Sequence, residues 1–295
     1  MEKFFPDYEI IEWNESNYDV NKKRAVTDIQ SIKSNQFDIH KYQGSKYIQS
    51  DFSNVFDTIL SSNEGVITGT PCQISALHNF LLLHNVRDKY LLVDLICHGV
   101  PTNLLWNKYI KEKEHQLGSN ESMDVLFRDK SFGWRDKIIT LVTSKQYLHI
   151  NEKKDLFYVF FLAANCYAES CYECNYRCSS NADIRIGDYW GKKYYGEKMG
   201  MSMVLPLTAK GFSELQILKN KKAITIENGS VNDYFKSQQT KNHYKPLEYS
   251  KIISDFKSTS TLTQMRKKYC KTFIFKQKIK PFIKIMSLFL HRKGE

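Results

Sequence analysis

The hydrophobic pattern becomes readable near residue 50. Phe52, Val55, Phe56, Ile59 and Leu60 recur at helical spacing behind Ser50, which can cap the helix they predict. Asn63, Glu64 and Gly65 end it. A short β-branched strand is predicted at 65–68, then a Gly-Thr-Pro-Cys turn at 69–72. A helix from Gln73 to about Leu83 follows, with Ile74, Leu77 and Leu81 on one side, and Tyr90 to Ile96 reads as a buried strand. Strand, helix and strand at this spacing form a βαβ unit, whose parallel strands end at the same sheet edge after a right-handed crossover.

The style then repeats. Cys97 to Pro101 form a turn, Thr102 caps, and Asn103 to about Glu114 is helical. Residues 123–150 alternate apolar and polar, most clearly over Ile138 to Val142, and predict antiparallel strands. A cysteine-rich loop at 166–178 precedes a strand at Asp183 to Ile186. The first forty residues are weakly patterned, and the pattern beyond Gly191 is mixed. The fold class expected is α/β: a mixed sheet with a parallel βαβ core, a cysteine-rich loop and additional antiparallel strands.

Length and charge refine this picture. A chain of 295 residues can bury one substantial core without disulfides. Three regions are expected: an N-terminal segment at 1–39, a main domain at 40–265 and a basic amphipathic tail at 266–295. Much of the formal charge of +11 gathers in that tail, where residues 266–293 hold Arg266, Lys267, Lys268, Lys271, Lys276, Lys278, Lys280, Lys284, Arg292 and Lys293 with no acid among them. Such a segment can lie on an anionic membrane surface or pack one apolar face on the domain. No recognised nucleic-acid motif accompanies the charge, so no nucleic-acid partner is expected. The start lacks the basic and apolar regions of a signal peptide, and no stretch reaches the roughly 18 apolar residues of a membrane span, so a cytoplasmic location is expected.

Seven cysteines in such a chain point to metal binding or catalysis. Cys72 and Cys97 each follow a strand of the βαβ unit, at the edge where parallel sheets gather ligands. Each can equally be a small buried hydrophobe. Cys166, Cys171, Cys174 and Cys178 form a local Cys-x4-Cys-x2-Cys-x3-Cys run. Its first three thiols match plant-type ferredoxin spacing, and a structural zinc site is the alternative. The turn from Asp183 to Gly191 displays Asp188, Tyr189 and Trp190, which can line a flat ring cofactor or cap the core. Arg128, Lys130 and Trp134 suit a phosphate or an acidic cofactor tail, or are solvated strand residues.

In order, Gly44-Ser-Lys-Tyr-Ile-Gln-Ser50, Gly69-Thr-Pro-Cys-Gln73, Asp94-Leu-Ile-Cys-His-Gly-Val-Pro101, Arg128-Asp-Lys130 with Gly133-Trp134, Ser170-Cys-Tyr-Glu-Cys174 and Gly187-Asp-Tyr-Trp-Gly191 resemble the coenzyme F420 hydrogenase/dehydrogenase beta subunit family, in its C-terminal domain. The resemblance runs from about residue 40 to 215. It implies an iron-sulfur flavoprotein passing electrons between a 4Fe-4S cluster, a flavin such as FAD and a deazaflavin or similar small-molecule acceptor, with a redox partner protein supplying electrons. Carried over by motif, it implies Cys72, Cys97, Cys171 and Cys174 as cluster ligands. It also implies a cofactor site drawn from Ser45, Lys46, Tyr47, Ser50, Gly69, Thr70, Gln73, His98, Arg128, Lys130, Asp188 and Trp190. Members commonly begin with a ferredoxin-like module of closely spaced cysteines, whereas no cysteine precedes Cys72 here. Residues 4–21 resemble the early part of capsular-type sugar transferases, yet the chain holds no Asp-x-Asp motif. That stretch is read as a remnant pointing to a polysaccharide-synthesis neighbourhood. The competing functions are a truncated, non-catalytic metal-binding protein and a sugar transferase.

Overall fold

The computed structural model describes residues 45–50, 52, 55–118, 123–144, 146–229 and 238–279, with the backbone of 9–13, 18–19, 24–25 and 29–32. In chain order the first elements are strands β1 (Glu9–Trp13), β2 (Tyr18–Asp19), β3 (Arg24–Ala25) and β4 (Ile29–Ile32), then helix α1 (Val55–Ser61), strand β5 (Gly65–Gly69), helix α2 (Pro71–Leu83) and strand β6 (Tyr90–Leu95). Helix α3 (Asn103–Leu117) leads to strands β7 (Asp124–Phe127), β8 (Ile138–Val142) and β9 (Tyr147–Asn151), helix α4 (Leu156–Ala163), strands β10 (Ile184–Asp188) and β11 (Ser202–Pro206), and helices α5 (Ala209–Asn220), α6 (Tyr249–Lys257) and α7 (Leu262–Tyr269).

The larger sheet has the order β11-β10-β6-β5-β1-β4. Neighbours β10, β6, β5 and β1 run parallel, whereas β11 and β4 pair antiparallel at the two edges. The parallel strands are buried by their apolar runs. On one face α1 and α2 cover Ile67 and Leu92 with Val55, Ile59, Ile74, Leu77 and Leu81. Leu215 of α5 packs with Val66, Leu91 and Ile184 in a separate cluster. The α/β expectation therefore holds, including the βαβ unit and the antiparallel strands β7-β8-β9, which form a second sheet.

That second sheet meets α3, α4, α6 and α7 around an aromatic core containing Trp106, Tyr109, Phe127, Phe157, Tyr158, Phe160 and Phe256. Two details of the expected helices change. The helix predicted behind Ser50 is described over Val55–Ser61 and leaves Leu60 exposed, while Ser50 Oγ accepts from Gln73 Nε2 at 2.8 Å. Thr102 does precede α3, but its Oγ1 makes no capping bond; its backbone N–H instead donates to the Cys166 carbonyl at 2.9 Å.

The charged tail begins inside the fold. Cys270 is fully buried, and Phe273 and Ile274 pack against the aromatic core. Arg266, Lys267, Lys271 and Lys278 line an open groove beside them with Thr263, Ile274 and Phe275. Residues 280–295 of the predicted tail lie outside the described residues, as does most of the stretch resembling a sugar transferase. Among the described residues no helix is long and apolar enough to cross a membrane.

Candidate functional site

Strand register brings three segments to one edge. Gly69 stands opposite Asp94 across β5 and β6, and Ile186 stands opposite Leu95 across β10 and β6. The Ile96 N–H continues the pairing to the Ile186 carbonyl at 2.8 Å. Cys72, Cys97 and Asp188 thus emerge side by side at the carboxyl ends of parallel strands, where open α/β sheets bind ligands.

The second pair of cysteines arrives by a different device. Residues 97–101 pair as a short ribbon with 166–168: Ala168 N–H donates to the Val100 carbonyl at 2.8 Å, and Pro101 bridges Tyr167. Gly99 holds φ +110° at this crossing, and a Cβ there would lie 2.7 Å from Tyr167 Cδ2 and 3.4 Å from Cys171 Cβ. Only glycine fits both the backbone and the space.

Two of the four thiols are pushed up by burial. Burial pushes Cys97 up to about 11, the Gly99 N–H draws it back, and the neighbouring Cys171 and Cys72 raise it again. Burial likewise raises Cys171, opposed by a hydrogen bond from Val100, with Cys72 and Cys174 as its charge neighbours. Cys166 belongs elsewhere: it is fully buried and has Cys270 as its charge neighbour. Cys178 is exposed and its thiol donates to the Thr240 carbonyl at 2.9 Å. The local run of four is thereby divided. Among the described residues, no three His, Cys, Asp or Glu side chains close around a single metal ion.

Buried ionic groups anchor this edge. Arg185 and Asp94 pair at 2.7 Å, and Arg185 also donates to the carbonyls of Tyr176, Arg177 and Ser179. The cysteine loop is pinned to β6 and β10 in this way. Arg177, 7% exposed, donates to the carbonyls of Cys97 at 2.7 Å and Cys171 at 3.4 Å and to Asn242 Oδ1 at 2.7 Å. Asn242 Nδ2 in turn donates to the Cys174 carbonyl at 3.0 Å.

The expected cofactor residues form two hydrogen-bonded groups. In the first, Gln73 links Ser50 to Thr70: its Nε2 donates to Ser50 Oγ, and its Oε1 accepts from Thr70 N at 3.0 Å and Thr70 Oγ1 at 2.8 Å. Thr70 Oγ1 lies 3.2 Å from Cys72 Sγ, so this chain reaches the cysteine edge. In the second, Arg128 is buried at φ +50° and forms an ion pair with Asp188. It also donates to the Trp134 carbonyl at 2.8 Å and lies over Trp190 at 5.2 Å. Tyr47 joins by hydrogen bonds to Arg128 and Ser45, and burial raises its hydroxyl while Arg128 opposes that rise. Trp134 and Trp190 stack with centroids 4.8 Å apart.

His98 sits between the groups. Its Nδ1–H donates to Gln239 Oε1 at 2.9 Å; crowding of the ring lowers its pKa, with Arg177 and Lys137 adding to the effect against the Gln239 bond. Gly69 closes β5, buried. Lys130 is exposed on a short helical turn and makes no ion pair among the described residues. Ser45 bridges Phe127, which brings the 45–50 segment beside β7.

The family model describing the C terminus of the beta subunit of coenzyme F420 hydrogenase/dehydrogenase matches residues 63–231. The chain belongs to this family. No curated protein matches it. The matched region contains all four motif cysteines, Arg128, Asp188 and Trp190, whereas Ser45 to Ser50 precede it. Membership carries a redox role of the beta-subunit kind, and such a role requires an electron partner or a substrate.

Several residues at this edge of the F420-family fold escaped the sequence reading. Arg177 and Arg185 were given no role there, although both are buried. The segment 238–243 carries no periodic signal, yet Gln238 donates to the Asp188 carbonyl at 2.6 Å, and Gln239, Thr240 and Asn242 reach His98, Cys178 and Arg177. Arg135 was also missed; its guanidinium lies over Trp134 at 4.6 Å and Tyr195 at 5.1 Å. The excess of polar side chains at 238–242 was the only available signal.

Proposed function

We propose that the chain is an iron-sulfur flavoprotein-like oxidoreductase, in which Cys72, Cys97, Cys171 and Cys174 would hold a 4Fe-4S cluster and the Tyr47, Arg128, Asp188, Trp190 group would receive a flavin. The observation that carries the reading is the meeting of three cysteine-bearing segments at one sheet edge, where the buried Arg177 holds the Cys97 and Cys171 carbonyls and Asn242 holds that of Cys174. Four thiolates meet the usual ligation of such a cluster.

The cluster, when bound, supplies one-electron exchange, and a flavin supplies the coupling of single electrons to two-electron chemistry. The chain's own residues contribute position and charge. Arg177 and the Val100 and Gly99 N–H groups favour negative charge on the sulfurs. Arg128, fixed by Asp188 and the Trp134 carbonyl, offers a cation to an anionic ring or phosphate, and the Trp134–Trp190 stack offers a flat apolar wall. His98 Nδ1 is held by Gln239 Oε1, and the lowered pKa favours its neutral ring, which leaves Nε2 to accept a proton. A redox partner protein and a small-molecule substrate complete the reading.

The test is anaerobic purification followed by iron, acid-labile sulfide and flavin analysis. Four iron and four sulfide per chain are expected. Zinc without iron would overturn the proposal.

A further inference from the structure

Arg177 makes no ion pair among the described residues, although it is 7% exposed. An isolated buried cation is costly unless an anion compensates it. Its hydrogen bonds all run to neutral groups: the carbonyls of Cys97 and Cys171 and the Asn242 side chain. Each of those groups belongs to, or is held against, the cysteine edge. The other buried arginines differ: Arg185 has Asp94, and Arg128 has Asp188. Arg177 therefore lacks the carboxylate that a purely structural arginine of this fold is given. Its two carbonyl bonds keep the guanidinium beside Cys97 and Cys171, and Asn242 grips it from the far side while also holding the Cys174 carbonyl.

We infer that Arg177, oriented by Asn242, is a positioning residue whose fixed positive charge compensates the thiolate centre and sets its reduction potential. The inference rests on the cluster reading above. One-electron reduction adds one negative charge to the centre, and a cation held beside two of its four sulfur ligands favours that added charge. Removing the cation disfavours the reduced form, so the midpoint potential falls. Lysine keeps the charge but cannot hold two carbonyls and Asn242 through a planar fork. A leucine at 242 keeps the charge and loosens its grip.

The experiment uses the full chain, reconstituted anaerobically and titrated with dithionite while absorbance and the paramagnetic resonance of the reduced centre are followed. R177Q is expected to lower the midpoint potential, N242L to lower it less, and R177K to stay nearest the wild type. Iron and sulfide absent from the wild-type protein would sink the cluster reading itself. A centre present in all four proteins at one common potential would leave that reading standing and overturn the role of Arg177. If R177Q incorporates no iron, R177K and N242L decide: potentials equal to wild type in both overturn the inference.

Discussion

Asp94 receives two parallel hydrogen bonds from Arg185, Nε to Oδ1 at 2.8 Å and Nη2 to Oδ2 at 2.7 Å, with both side chains almost wholly buried. The pair joins β6 to β10, and Ser180 Oγ donates to the same carboxylate at 2.6 Å. Breaking such a pair strands a charge. Asp94→Leu is expected to destabilise the protein by about 3–5 kcal/mol in urea denaturation, because Arg185 then lies buried and unpaired. A loss under about 1 kcal/mol would place the pair among weak surface bridges and contradict its anchoring role.

Gly99 is the tightest point of the cysteine edge. Gly99→Ala combines a positive φ with a methyl group pressed on the Tyr167 ring, and the φ strain alone costs about 1–3 kcal/mol. Tyr167→Leu in the same chain relieves the contact but not the φ, so the double variant should stay below Tyr167→Leu alone in thermal stability. Equal stability of those two proteins would show that the backbone there adapts freely.

The division of the cysteines can be read by metal analysis. Cys72→Ser and Cys97→Ser should lower bound iron severely, whereas Cys178→Ser should keep it. Cys166→Ala should also keep it while losing stability, since its thiol lies in the aromatic core. Iron lost from Cys166→Ala and Cys178→Ser but retained in Cys72→Ser would restore the compact run 166–178 as the ligand set.

In metal-free protein, Cys97 carries a thiol raised to about 11 by burial. The stability tied to this thiol is fully present below the unfolded value of about 8.5 and is lost as pH rises through the folded value. Between these limits the unfolded chain ionises first. Alkylation of Cys97 by iodoacetamide, followed by peptide mass analysis, should therefore accelerate steadily up to about pH 11. A plateau near pH 9 would show that Cys97 is not shielded.

Much of the central architecture was legible because β5, α2 and β6 each bury a regular set of apolar residues between strong turn signals. Ile74, Leu77 and Leu81 repeat at helical spacing, and Tyr90 to Val93 form a continuous apolar run. The edge at which Cys72 and Cys97 emerge follows from that alternation alone. Ser50, a fit cap in sequence, has its hydroxyl on Gln73, 23 residues away, a partner that no local pattern announces. The region after Gly191 resisted reading for another reason. Helix α5 buries only Gly211 and Leu215, so its sequence resembles that of a solvated segment. Residues 238–243 act through polar side chains on backbone carbonyls and a histidine ring, contacts that leave no periodic trace. The cysteine motifs identified the family and its expected ligands, but the cations and amides surrounding them are visible only once the chain is folded.

The clasp formed by residues 238–243 has a consequence for biogenesis. On the ribosome, Cys72, Cys97, Cys171 and Cys174 are all synthesised before Gln238 exists, and growth at roughly 5–20 residues per second leaves an interval of several seconds in which the strands can pair while their sulfur edge stands open. Closure waits for Asn242. Residues 238–243 thus join the fold late: the hydrogen bonds that tie Gln239 to His98, and Asn242 to Arg177 and the Cys174 carbonyl, form only after every strand of the cysteine edge has been made.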